Sequence, residues 1–63
     1  MKTREIIKLI EEDGWFEVRQ KGSHKQFKHT IKKGLVTIPV HRLSSDLSPG
    51  IERSILKQAQ IEK

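Results

Sequence analysis

The hydrophobic period of this chain changes twice, at Gly14 and at Ser48-Pro49, and those changes confine it to a helix, a run of strands and a second helix. Before Gly14, the residues Ile6, Ile7, Leu9 and Ile10 recur along one side of a helix, with Thr3 placed as an N-cap and Glu5 complementing the first-turn dipole. Gly14 stops that helix. Beyond it the pattern alternates, with Phe16 and Val18 expected inward against Trp15, Glu17 and Arg19. Lys21-Gly22-Ser23 reads as a turn in which Gly22 allows a positive φ. His24 to His29 reads as a strand with Phe27 inward and His24, Gln26 and Lys28 on the other face.

Lys32-Lys33-Gly34 then resembles a hairpin turn, and Leu35 to Val40 alternates Val36, Ile38 and Val40 against Thr37 and Pro39. Pro39 has no amide hydrogen for a ladder, which puts this strand at an edge or ends it there. After a loop from His41 to Leu47, Ser48 is expected to cap a helix whose first residue is Pro49, with Ile51, Ile55, Leu56 and Ala59 as a narrow apolar stripe. The expected fold is α+β in the order α-β-β-β-α: a three-stranded antiparallel sheet with two helices on one face. If those helices cover Phe16, Val18, Phe27, Val36 and Ile38, the opposite face stays open and carries Arg19, His24, Gln26 and Lys28.

A chain of 63 residues builds one domain with a small core, here taken as residues 1–63. Without cysteine it has no disulfide and no thiolate metal site. No apolar stretch approaches the roughly 20 residues of a membrane span, and the charged N-terminal segment does not resemble a signal peptide, so the expectation is a soluble cytoplasmic protein with no membrane partner. The formal charge of +5 is concentrated in the middle. Residues 14–42 contribute +6, from Arg19, Lys21, Lys25, Lys28, Lys32, Lys33 and Arg42 against Glu17 alone, whereas residues 1–13 sum to −1 and residues 43–63 to zero. A basic block of this kind is either a polyanion-binding face or a solvated lysine-rich surface.

Within that block His24 follows the turn glycine and is flanked by Lys21, Lys25 and Lys28. An imidazole so placed could exchange a proton with a ribose hydroxyl while the cations hold the phosphodiester; the bland alternative is a hydrogen-bonded surface histidine. Ser23 has no nucleophile motif around it and reads as a turn residue. His29 and His41 match no metal-ligand spacing, and no metal or other cofactor is expected. Trp15 reads as apolar area at the sheet margin rather than as a base-stacking platform. Glycine loops that cradle nucleotides and paired carboxylates of the glycosidase type are both missing from the sequence.

Taken together, Gly14-Trp15 with Arg19-Gln20, Gly22-Ser23-His24 with Phe27, Val36-Thr37-Ile38-Pro39 leading to His41, and Ile55-Leu56-Lys57-Gln58 resemble the HicA family of toxins over nearly the whole chain. The resemblance implies a fold similar to the double-stranded RNA-binding domain, an endoribonuclease acting on mRNA, and a HicB-like antitoxin that masks the active site. It places the family's functional histidine on His24. Arg19, Lys21, Ser23, Lys25 and Lys28 are the expected RNA-binding residues and Gly22 the structural turn. The sequence departs from the family pattern at Gly50-Ile51-Glu52 and at Gln60, both remote from His24 along the chain. The alternative is a non-catalytic RNA-binding module on the same frame. Against its usual form, the last helix begins Ser48-Pro49-Gly50-Ile51-Glu52-Arg53, without the lysine cluster that reaches phosphates across a major groove.

Overall fold

The first helix, α1, spans Thr3–Glu12 in the computed structural model, which describes residues 1–61. Its N-cap is Lys2, in extended conformation, and not Thr3. Thr3 is already helical and buried: its N–H donates to the Ser45 carbonyl at 2.9 Å and its hydroxyl to the same oxygen at 3.1 Å. The Arg4 N–H donates to the Leu43 carbonyl at 3.0 Å. The orphan amides of the first turn are thus met by a distant loop, so no capping hydroxyl is needed. At the other end, Gly14 at φ 110° closes a Schellman turn, with the Gly14 N–H on the Glu11 carbonyl and the Trp15 N–H on the Ile10 carbonyl.

Three strands follow, β1 (Phe16–Lys21), β2 (His24–Lys28) and β3 (Val36–Pro39), paired antiparallel in the order β1-β2-β3. The last helix, α2 (Pro49–Gln58), starts as expected, with the Ser48 hydroxyl accepting from the Ile51 N–H. It ends in a second Schellman turn, the Gln60 N–H reaching the Lys57 carbonyl and the Ile61 N–H the Leu56 carbonyl. Ile6 and Ile10 of α1, Ile55 and Leu56 of α2, Ala59, and Phe27, Val36 and Ile38 of the sheet form one core with Trp15. Ile51 of the expected stripe remains 43% exposed.

The expected inward direction of Phe16 and Val18 is overturned. Phe16 pairs with Lys28 and Glu17 with Phe27, so Glu17 faces the helices and Phe16 the open side; Phe16 and Val18 are 46% and 45% exposed. The cause lies one residue earlier, because the Schellman turn delivers Trp15 into the core. There the indole is 2% exposed and its N–H donates to the Ala59 carbonyl at 3.2 Å. An indole buries more apolar area than a valine, and its polar handle is satisfied, so Trp15 takes the inward position. A bulge between Glu17 and Arg19 then absorbs Val18 and returns Arg19 to the open face, opposite Gln26.

Candidate nucleic-acid interface

The β1–β2 hairpin turns through only two residues, Gly22 and Ser23, between the paired Lys21 and His24. Its first loop position is left-handed, which Gly22 supplies at φ 59°. Nothing lies within 4 Å of a Cβ built there, so backbone conformation and not crowding requires the glycine. Two bonds brace the turn: the Gln20 amide donates to the Gly22 carbonyl at 3.0 Å, and the Val40 N–H donates to the Ser23 carbonyl at 2.6 Å. His24 therefore leaves a fixed turn, exposed, with Lys21 opposite it on β1 and Pro39 opposite it on β3.

Pleating sets which residues share its face. Gln26 and Lys28 follow on β2, with Arg19 and Phe16 opposite them on β1 and Thr37 opposite Gln26 on β3. The Arg19 Nε donates to the Gln26 Oε1 at 3.1 Å, which ties the guanidinium to its cross-strand partner. Lys25 departs from the expected set: it stands opposite Gln20 and Ile38 on the helix side, where its ammonium bonds the Glu17 carboxylate at 3.0 Å. That pair has a second consequence, because Glu17 is the sole carboxylate of the basic block and is turned away from the open face. Ser23 is half-buried, and its carbonyl belongs to the brace from Val40. The open face thus presents an imidazole together with Arg19, Lys21 and Lys28, which suits an anionic polymer carrying an ionisable hydroxyl.

The other histidines differ sharply. His29 is locked at the base of the sheet, where its Nδ1 accepts from the Ile31 and Lys32 N–H groups at 2.9 and 3.0 Å. The hydrogen must then sit on Nε2, which donates to the Asp13 carbonyl at 2.7 Å. Its ring meets Trp15 edge-on at a centroid distance of 5.2 Å. Sequence reasoning missed this role, although extending the Phe16–Lys28 pairing by one residue would have set Trp15 opposite His29. His41 is exposed in the loop after β3. Lys32 is also structural, donating to the Asp13 carboxylate at 2.6 Å and to the Ala59 and Gln60 carbonyls at 3.2 and 3.1 Å at the end of α2. That hydrogen bond holds the Asp13 carboxyl below its usual value.

Among the described residues no group of three or more histidine or acidic side chains is arranged to hold a metal ion, and no helix is long and apolar enough to cross a membrane. The family model for the HicA toxin of bacterial toxin-antitoxin systems matches residues 3–61. No curated protein sequence matches the chain.

Proposed function

The chain belongs to the HicA toxin family of bacterial toxin–antitoxin systems, and from that premise we propose that it is a metal-independent endoribonuclease that cleaves mRNA in the cytoplasm and is neutralised by a HicB-like antitoxin. One observation carries the reading. His24 stands exposed on a sheet face that also bears Arg19, Lys21 and Lys28, while the nearby carboxylate Glu17 is paired with Lys25 on the reverse side. In this reading a single-stranded stretch of RNA lies across the three strands. Arg19, Lys21 and Lys28 hold phosphates, and His24 acts as general acid or base on the ribose 2′-hydroxyl or the leaving oxygen. The same cations offset the charge that accumulates on phosphorus as the reaction proceeds. No step needs a metal, because proton transfer and charge stabilisation both come from side chains.

Lys25 is left out of the phosphate set, since its ammonium is engaged on the opposite face. Ser23 contributes through the backbone that fixes where His24 begins. An antitoxin that covers the open face would bury His24 and the three cations together, which inhibits binding and chemistry at once. The alternative of a purely RNA-binding module is not supported by α2, whose first turn offers Glu52 beside Arg53 where a double-stranded RNA reader needs a cluster of cations.

Growth provides the test. Induced alone in a bacterial host, the protein is expected to arrest growth, His24→Ala to relieve the arrest at equal protein level, and co-expression of the antitoxin encoded beside it to restore growth. Arrest that persists undiminished in His24→Ala would remove this histidine from the activity.

A further inference from the structure

We propose that His41 is the second proton-transfer group of this site, the acid that protonates the leaving 5′-oxygen while His24 accepts the proton of the attacking 2′-hydroxyl. The assignment rests on the ribonuclease reading above and deepens it. A single imidazole leaves one of the two proton transfers without a partner, and the chain holds two other histidines. His29 is removed from consideration because both of its ring nitrogens are bonded to backbone beside Trp15. His41 is exposed and comes two residues after Pro39, the residue that the pairing of β2 with β3 sets opposite His24.

The path is short. His24 lies opposite Pro39, and the Val40 N–H bond to the Ser23 carbonyl carries the ladder one residue past the strand. Pro39 shares the open side with its partner His24, Val40 packs against the core, and His41 follows at a bend. Each histidine is the immediate chain neighbour of one partner of the Val40–Ser23 bond, His24 of Ser23 and His41 of Val40, and from there the two imidazoles are assigned to one ligand. In this assignment the scissile phosphodiester lies between the two imidazoles. The loop that bears His41 is also held on its far side. The Leu43 and Ser45 carbonyls accept from the first amides of α1, and the Ser45 N–H returns to the Arg42 carbonyl at 3.2 Å. His41 therefore sits between two anchored points one and two residues away, which limits the reorganisation needed to act.

The reaction balances without any co-reactant. The 2′-oxygen bonds to phosphorus as its proton passes to His24, the bond from phosphorus to the 5′-oxygen breaks, and the proton of His41 goes to that oxygen. The products are a 2′,3′-cyclic phosphate and a 5′-hydroxyl end; His24 then gives up its proton to water and His41 regains one from it.

A change of leaving group tests the assignment. Two forms of one short single-stranded RNA are compared, one with the natural 5′-oxygen and one with sulfur in its place at the scissile bond, since a thiolate departs without being protonated. His41→Ala is expected to cut the natural RNA about 100-fold or more slowly than the wild type, and to cut the sulfur form at nearly the wild-type rate, which also shows that the variant is folded and binds. His24→Ala is expected to be slow on both. Wild-type speed of His41→Ala on natural RNA, or an equal loss on both forms, would overturn the assignment alone. A wild-type protein that cuts neither RNA would overturn the ribonuclease reading beneath it.

Discussion

A Cβ built on Gly14 would stand 2.6 Å from Nε2 of His29, the nitrogen that donates to the Asp13 carbonyl at 2.7 Å. The glycine and the histidine are thus one joint: the turn that ends α1 closes directly onto the ring that organises the β2–β3 connection. His29 cannot withdraw without giving up its bonds to Asp13, Ile31 and Lys32. Gly14→Ala is expected to destabilise the domain by about 1–3 kcal/mol, combining that collision with a backbone conformation L-residues avoid. Urea denaturation measures it, and wild-type stability would show that the joint yields freely.

The second Schellman turn makes the converse prediction. Gln60 occupies the left-handed position at φ 56°, where glycine is at ease, and its side chain offsets part of the strain by donating to the Lys33 carbonyl at 2.8 Å. That bond is exposed, so its loss costs little. Gln60→Gly is expected to stabilise the domain by about 1 kcal/mol. A lower unfolding midpoint would mean that the tie to Lys33 outweighs the strain.

These two turns also show how far the fold was legible. Gly14 and Ser48-Pro49 marked the helix limits through local backbone chemistry, and both act at those limits. The order of elements and the edge position of Pro39 followed from period and missing amide. The direction of β1 did not, because alternation fixes which residues share a face and not which face is inward. Here a single indole reaching Ala59 decided that question, and the bulge at Val18 restored the expected place of Arg19. Lys25 looked like a neighbour of His24 because the two are adjacent in sequence, yet adjacent strand residues point to opposite faces. Thr3 has the side chain of a cap, but the carbonyls that take over that task come from residues 43 and 45, which no local pattern shows.

Acidification should reveal the Asp13–Lys32 pair. The bond to Lys32 lowers the Asp13 carboxyl below its ordinary value of 3.8, so the folded state binds this proton less readily than the unfolded chain. Its contribution is full above that value and is lost as pH falls through the lower folded one. Asp13→Asn is expected to be less stable than the wild type at neutral pH, with the difference closing below pH 3.8. Unfolding midpoints followed with pH check this, and a difference that widens in acid would contradict it.

The two sides of the sheet should separate in salt. Removing a phosphate contact lowers the slope of log affinity against log salt by about 1. Lys21→Ala and Lys28→Ala, tested on an RNA too short for cleavage to interfere, are each expected to show that loss. Lys25→Ala, taken from the helix side where it meets Glu17, is expected to leave the slope unchanged. Equal effects from all three lysines would mean that charge alone, without the facing of the strands, governs binding.

The central claim is that the imidazole of His24 performs chemistry on RNA, and cleavage by purified protein in excess chelator tests it most directly. The account predicts wild-type cleavage that leaves 2′,3′-cyclic phosphate ends, and a loss of about 100-fold or more in His24→Ala with RNA affinity retained. Cleavage at equal rates by both proteins, or wild-type cleavage abolished by the chelator, would contradict it.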